Sequence, residues 1–399
     1  MDRKPGYRRP GIPIRPNLVR NTRFNLQRVP TACGVLACLM LVAAGAPSPG
    51  ALDLPDLKAV EAAFVKLAED VQPSVVSIQT YTVSAVSEDG AVFATIPESK
   101  GSGFVIDSDG FIATNDHVVA GAGLISVVLH NGLKYEAKIL KEDERSDLAV
   151  LKIDEHHLKP VRWGDIGKTR VGQWAFVCGN PFGLGNMDGR TSFTYGIISA
   201  LGRQLTDRLV GSPRQRAVRY YGNLIETSAA INPGSSGGPL FNIDGEVIGV
   251  VTAIETASGV NEGHGYAVPI NDNTIRILNT LKRGEEFPYG FLGVNLMDIE
   301  LDPASARLVR GRVHRGARID SIVLQDGPAA QAGLRIDDVV VEVDGIPVEN
   351  VDHLVRLVGF KAPGTQTEIV YERKKVRHKT TVTLGDRWQL LGYERPSQE

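Results

Sequence analysis

The sequence predicts a mainly β protein of more than one domain, and three observations carry that reading. From residue 75 to about residue 269, short β-branched runs alternate with turns, as in Val75–Tyr81, Ile125–His130, Trp174–Gly179, Thr194–Ala200 and Val247–Ala253. That rhythm favours an antiparallel barrel or sandwich. The chain holds 43 glycines, which suits a fold with many tight turns. At 399 residues it exceeds what one hydrophobic core organises, so two or three domains are expected.

The first 46 residues stand apart in charge. They carry eight Lys or Arg against Asp2 alone, so with a net charge of −2 the rest of the chain is acidic. An acidic body gives no support for binding nucleic acid. The basic stretch leads into Thr31–Ala46, an apolar run of 16 residues. A membrane-spanning helix needs about 20. The shorter run suits a signal-peptide core, and Ala44-Gly45-Ala46 offers a small-residue cleavage site. A cleaved export signal is the first expectation. An uncleaved anchor, attaching the protein to a membrane through residues 31–46, is the second. An Arg-rich, acid-poor leader also fits a mitochondrial transit peptide. Cys33 and Cys38 fall in this leader, so only Cys178 would remain after cleavage and no internal disulfide is expected. Cys178 ends the run Trp174–Cys178, where a buried, inert thiol is expected. His156-His157 is a lone pair in a polar loop, and no cluster with metal-ligand spacing occurs, so neither a metal nor a cofactor is expected.

The remaining elements follow in order. Pro47 to Leu54 reads as a linker. Leu57, Val60, Ala63, Phe64 and Leu67 lie at helical spacing, which predicts a short amphipathic helix over 56–70. Residues 84–100 are polar and lack apolar periodicity, so a surface loop is expected there. Residues 270–283 predict a helix, with Gly284 as its stop signal.

Candidate chemistry concentrates in Asn232-Pro-Gly-Ser-Ser-Gly-Gly-Pro-Leu240. Three glycines and two prolines in nine residues exclude a helix interior or a regular strand. They permit a tight turn that exposes a serine hydroxyl and aims backbone N–H groups at one point, as a tetrahedral oxyanion requires. A serine hydroxyl needs a base to take its proton, and the base needs a carboxylate to fix its tautomer. His117 ends an apolar stretch in Phe111–Val119, and Asp147 opens the run Leu148–Leu151. The order His117, Asp147, Ser236 therefore suggests a catalytic triad. Gly234-Ser-Ser-Gly-Gly238 also satisfies the G-x-S-x-G pattern of α/β-hydrolases. That fold places its acid and histidine after the serine and alternates strands with helices, and neither condition holds here.

The chain resembles the HtrA/Deg family of chymotrypsin-like serine proteases. The matching stretches are Gly101–Ile106, Thr114–Val119, Ser146–Leu151, Gly179–Leu184 and the serine run, within roughly residues 55–388. The resemblance implies two six-stranded β-barrels with the site between them, Ser236 as nucleophile, His117 as base and then acid, and Asp147 as its orienting partner. It implies an oxyanion hole from the N–H groups of Gly234 and Ser236. Ile231 and Ile254 would wall the substrate pocket, with Gly265-Tyr266-Ala267 along the substrate strand. With no acidic residue at these wall positions, medium apolar side chains would be accepted rather than Lys or Arg. The family usually carries Asn at positions 116 and 235 and Asp at 228, where this chain has Asp116, Ser235 and Ser228. Neighbours on a strand face opposite ways, so Asp116 is expected to point away from His117.

Residues 288–388 resemble a PDZ domain, through Phe291–Val294, Asp326–Leu334 and Asp337–Gly345. Such domains add a peptide C-terminus to a sheet edge. By that resemblance the Leu292-Gly293-Val294 backbone cradles the carboxylate. Val351, Leu354, Val355 and Val358 lie at helical spacing, some for the core and others, with Leu354 and Val355 as candidates, for the groove. The expected organisation is a leader at 1–46, linker and helix at 47–70, protease domain at 71–284 and PDZ domain at 288–388. The resemblance implies an ATP-independent endopeptidase acting on unfolded or damaged proteins, working as a homotrimer to which Leu57 or Phe64 contributes. Its compartment would be the periplasm or, as for organellar relatives, the mitochondrial intermembrane space. The competing reading is a stress sensor or chaperone-like binding protein with limited proteolysis.

Overall fold

A computed structural model of the protein describes residues 54–86, 92–205, 221–252, 263–299, 315–386 and 390. The leader, the linker up to Asp53 and Ile254 lie outside them. The helix predicted before the barrels is α1, Leu54–Val71. Its Leu67 and Val71 are buried, and Phe64 packs on the same cluster.

The first barrel comprises β1 (Val75–Val86), β2 (Val92–Asp107), β3 (Phe111–Thr114), β4 (Leu124–Val128), β5 (Lys134–Asp143) and β6 (Leu148–Ile153). The order is β1-β2-β3-β6-β5-β4, closed by antiparallel pairing of β1 with β4. The second comprises β8 (Trp174–Gly179), β9 (Ser192–Leu205), β10 (Tyr221–Thr227), β11 (Pro239–Phe241), β12 (Glu246–Thr252) and β13 (Gly265–Pro269). It runs β11-β8-β9-β10-β13-β12 and closes between β11 and β12, with the short β7 (Arg162–Trp163) added in parallel to β12. The chain is therefore mainly β, with two closed six-stranded barrels.

One expectation needs correction. Residues 84–86 and 92–100 are not loop but strand, because β1 and β2 run on as a hairpin with Tyr81 opposite Pro97 and Val83 opposite Thr95. Exposure there is high at Ile96, and Thr82 Oγ1 donates to Glu98 Oε2 at 2.7 Å. A ribbon with no core beneath it shows no apolar alternation, which is the signal that would reveal it in a sequence.

Several strands are instead buried on both faces. In β6, Leu148 and Val150 join the cluster between the barrels, while Ala149, Leu151 and Ile153 fill the first barrel. In β8, Phe176 and Cys178 face the shared cluster, while Ala175 and Val177 fill the second barrel. Side chains alternate with period two, so a strand between two cores must be apolar throughout. Each large side chain buried this way contributes about 1.5–3 kcal/mol. A longer helix adds Ile277, Leu278 and Leu281 to the shared cluster.

That longer helix and a short one frame the barrels. The short helix, α2 (Asp116–Val119), follows β3. The long one, α3 (Asp272–Lys282), lies where 270–283 predicts it and buries Ile277, Leu278 and Leu281 in the shared cluster. Asn271 Oδ1 caps it by accepting from Asn273 N at 2.9 Å and Thr274 N at 3.0 Å. Such a cap contributes about 1 kcal/mol. Beyond its last turn Gly284 takes φ +75°, a left-handed value that glycine adopts without strain.

The C-terminal unit is a sheet of β15 (Val294–Asp298), β16 (Ala317–Ile322), β17 (Val339–Val343), β19 (Gln366–Arg373) and β20 (Val376–Thr383), in that order. β18 (Ile346–Pro347) pairs with β17, and β14 (Gly290–Phe291) with β21 (Gly385–Asp386). Two helices, α4 (Pro328–Gln331) and α5 (Val351–Gly359), accompany it. Its core includes Leu292, Ile319, Leu334, Val340, Leu354, Ile369 and Val382. The buried Asp338 receives Arg373 in a two-point contact of 2.7 and 2.8 Å and also accepts from Arg335 N at 2.7 Å. At one end of the sheet order, β15 pairs, among the described residues, only with β16.

Candidate active site

His117 is the second residue of α2, so the strand geometry expected around it does not apply. Asp116 shares that helical turn and is buried at 2% exposure, so strand alternation does not set the direction of its side chain. Asp147 sits in the β5–β6 turn with φ +56°, a left-handed conformation uncommon for a side-chain-bearing residue. Three contacts hold it. Its carbonyl accepts from Asn115 Nδ2 at 2.9 Å and Asp116 N at 3.2 Å, and its Oδ1 accepts from His117 N at 3.0 Å.

The His117 ring completes the pairing. Nδ1 lies 2.9 Å from Oδ1 and 2.8 Å from Oδ2 of Asp147, which is 1% exposed. Facing a carboxylate, Nδ1 carries the proton and Nε2 is left as the acceptor. Thr252 Oγ1, at the end of β12, donates to Asp147 Oδ2 at 3.1 Å and so links the second barrel to the carboxylate of the first. Donors from both barrels suit an ionised, acceptor-only group.

The serine turn is anchored from both barrels. Ser236 O accepts from Ser102 N at 2.8 Å, and Ser102 Oγ donates to Gly234 O at 2.7 Å while accepting from Asn180 N at 2.8 Å. Gly237 N donates to Val251 O at 2.8 Å. Gly237 has φ +82°, and a Cβ there would meet Ser102 O and Thr114 Oγ1 at 2.2 Å and Asn115 N at 3.1 Å. The turn thus abuts the strand end that leads to His117, at a spot only glycine fits. Gly234 has φ +99°, and a Cβ there would lie 2.4 Å from Asn180 O. The carbonyl of Pro233 accepts from Phe182 N at 2.7 Å, and that of Ser235 from Gly238 N at 3.0 Å. In a trans peptide the C=O and N–H point opposite ways. These contacts therefore turn the Gly234 N–H away from Phe182 and the Ser236 N–H away from Gly238.

The other site residues are placed as follows. Ile231 is 6% exposed, and its Cδ1 would lie 2.4 Å from a Cβ on Gly265. Gly265, Tyr266 and Ala267 form β13 between β10 and β12; Ala267 is fully buried and Tyr266 half-buried. Ile254 falls outside the described residues. Beside this strand, buried Glu226 accepts from His264 Nδ1 at 2.8 Å and Arg203 Nε at 2.5 Å. Burial opposes its ionisation, but His264 and Arg203 more than offset that and hold its carboxyl below the usual range.

In the C-terminal unit, Leu292 O accepts from Ala329 N at 3.0 Å and Gly293 O from Val323 N at 2.9 Å. Their peptide planes turn the N–H groups of Gly293 and Val294 away from these partners. Gly293 has φ +79°. Leu354 is fully buried in the core, so the candidate groove position there is a packing residue; Val355 is half-buried on the same helix. Among the described residues no three His, Cys, Asp or Glu side chains are grouped to hold a metal. Thr252, Asn115 and Ser102 were not anticipated from sequence. A threonine closing an apolar run, as in Val250-Val251-Thr252, was the available signal for the first.

These features define a trypsin-like peptidase fold joined to a peptide-binding module. Residues 101–250 match the trypsin-like peptidase domain family and residues 290–384 the PDZ domain family. A probable periplasmic serine endoprotease, DegP-like, of Halomonas elongata is 41% identical over 288 residues, 72% of this chain and 56% of the relative. One of the same name from Chlamydia muridarum is 40% identical over 286 residues, 71% of this chain and 54% of the relative. The chain thus spans little more than half the length of these curated relatives. The solved HtrA-type protease AlgW with a tripeptide superposes with a TM-score of 0.63 at 30% identity, covering 81% of this chain and 97% of that one. A serine endoprotease from Yersinia pestis gives a TM-score of 0.56 at 27% identity over 81% and 97%. The chain belongs to the HtrA-type protease family.

Proposed function

We propose that the protein is an ATP-independent serine endopeptidase that degrades unfolded or damaged proteins and reads peptide C-termini through its PDZ domain. The pairing of His117 with buried Asp147, against an anchored serine turn, is the observation that carries this reading. Ser236 Oγ attacks the peptide carbonyl while His117 Nε2 takes its proton, and Asp147 stabilises the imidazolium that results. The N–H groups of Gly234 and Ser236 receive the oxyanion. His117 then protonates the leaving amine, and water releases the acyl group by the reverse sequence. No cofactor takes part.

Ile231 over Gly265 supports an apolar substrate pocket and cleavage after medium apolar residues such as unfolded chains expose; Ile254, the other expected wall residue, lies outside the described residues. The edge strand β15 beside α5 supports strand addition of a peptide, its carboxylate at Leu292–Val294 and its last side chain against Val355. The working assembly is a homotrimer. Phe64 packs within 5.0–5.5 Å of Trp174, Phe176 and Tyr195, yet Trp174 and Tyr195 stay 45% and 58% exposed, an aromatic patch suited to a neighbouring subunit. The relatives' names support a periplasmic location, with attachment to the inner membrane through residues 31–46 if the leader is retained; no described helix is long and apolar enough to cross a membrane. The domain limits that fit are 71–284 and 288–388. Contact between α5 and β10 favours a second reading, in which the PDZ domain senses a ligand and proteolysis is limited and regulated. Casein digestion by the full chain beside Ser236→Ala tests the main reading: digestion by the wild type alone is expected, and equal digestion by both overturns it.

A further inference from the structure

The turn that presents Asp147 is gripped from its far side. β5 and β6 pair Asp143 with Leu148, leaving four residues between them. Within the turn, Asp143 Oδ2 accepts from Ser146 N at 3.3 Å and from Ser146 Oγ, an arrangement in which an aspartate side chain stands in for a backbone turn. A third donor to the same oxygen is the hydroxyl of Tyr289, from the segment joining the two domains. The Arg145 guanidinium lies 4.4 Å from the centre of the Tyr289 ring. The same guanidinium lies against the end of α5, where a Cβ on Gly359 would come within 2.8 Å of Arg145 Nη2.

Tyr289 is itself fixed. Its ring packs against Phe287 at 4.9 Å and Phe360 at 6.2 Å. Arg276 of α3 lies 5.4 Å from the Phe287 ring and donates to Phe360 O at 3.3 Å. Lys141 of β5 pairs with Glu286 at 3.1 Å, so the joining segment docks along the same hairpin. Burial, and after it the Asp143 carboxylate, push the Tyr289 phenol above its ordinary range, so it stays a donor at any working pH. Asp147 meanwhile holds a left-handed backbone, which persists only where its surroundings over-determine it. His117, Asn115, Asp116 and Thr252 constrain Asp147 from the site side. Tyr289 holds the other end of the same turn, through Asp143.

We propose that Tyr289 is a positioning residue for Asp147: by bonding Asp143 and bracing Arg145 against the end of α5, it fixes the turn that presents the carboxylate to His117. The PDZ side of the molecule thereby contributes to the geometry of the triad without touching substrate. This inference rests on the protease reading above.

The test uses the full chain as wild type, Tyr289→Phe, Tyr289→Ala and Ser236→Ala, with kcat and KM measured on a quenched fluorescent peptide and melting followed in parallel. Tyr289→Phe keeps the ring between its aromatic neighbours and removes only the donor. A slight misplacement of a catalytic group is costly, so its kcat should fall roughly tenfold. KM should change less than about twofold, since the ground-state binding contacts are untouched. Tyr289→Ala should lose more. A purely structural tyrosine would lower the melting point and leave kcat of the folded enzyme unchanged. An inactive Ser236→Ala beside a Tyr289→Phe with wild-type kcat, or with a change confined to KM, overturns the proposal alone. Full activity in Ser236→Ala overturns the nucleophile assignment, and the proposal with it.

Discussion

The barrels and the C-terminal sheet treat their strand edges in opposite ways. Each barrel closes on itself, through pairing of β1 with β4 and of β11 with β12. What the barrels offer the surroundings is their loops, and the candidate triad is assembled from an α2 turn, a hairpin turn and a glycine-rich turn. Among the described residues, the C-terminal sheet ends at β15, which pairs with β16 and with no other strand. Closure favours placing single side chains to fine tolerance on a rigid frame. An open edge favours reading a backbone, whatever its sequence, with side-chain pockets adding preference.

The comparison can be broken most severely at the turns. Ser236→Ala should lower turnover by roughly 10⁶-fold, by analogy with other triads, while leaving peptide binding at β15 unchanged. Single-turnover assays and calorimetry on the same sample separate the two. Asp147→Asn should lose about 10⁴-fold in kcat because the amide favours the wrong histidine tautomer. Near wild-type turnover in that variant would remove Asp147 from the triad.

A third experiment addresses the open edge. Matched peptides ending in Val or Phe, as free acids and as amides, should differ at least about tenfold in affinity for the full chain. The amide forfeits a charge-assisted contact worth about 1.5–3 kcal/mol. Equal affinities in calorimetry would mean that the edge does not read termini.

The smallest effect expected is at Glu226. Its folded-state pKa is lowered, so the stability it contributes is complete above the ordinary glutamate range, about 4.3, and is lost as pH falls through the folded value. Glu226→Gln should therefore cost about 1 kcal/mol near neutrality, modest because Arg203 and His264 are more than half exposed. The gap in urea midpoint should shrink below about pH 4. A gap that widens on acidification would contradict the assigned direction.

The β-rich rhythm was legible because strands between two cores, such as β6 and β8, are apolar on both faces and bounded by turns; the family resemblance, not that rhythm, chose barrels over a sandwich. His117, Asp147 and Ser236 were legible because each sits in a run whose composition restricts its conformation. What stayed hidden has physical reasons. The β1–β2 ribbon leaves the barrel and has no core to impose alternation. Thr252 differs from any strand-ending threonine only by the carboxylate it meets. Leu354 and Val355 are chemically alike, and only the facing of α5 assigns one to the core. Tyr289 acts across a sequence separation of 146 residues from Asp143, so no local pattern marks it.

Cys178 has a practical consequence. It is buried between the barrels, and burial pushes its thiol up to about 12, with Thr191 opposing weakly. Burial thus keeps the thiol protonated near neutrality and shields it from reagents. In a protein prepared without residues 1–46, and so without Cys33 and Cys38, engineered surface cysteines would be the thiols open to maleimide chemistry. A pair of spin labels, one on α5 and one on the exposed face of β9, would then report the spacing of the two domains without background and without altering a native residue in the cores.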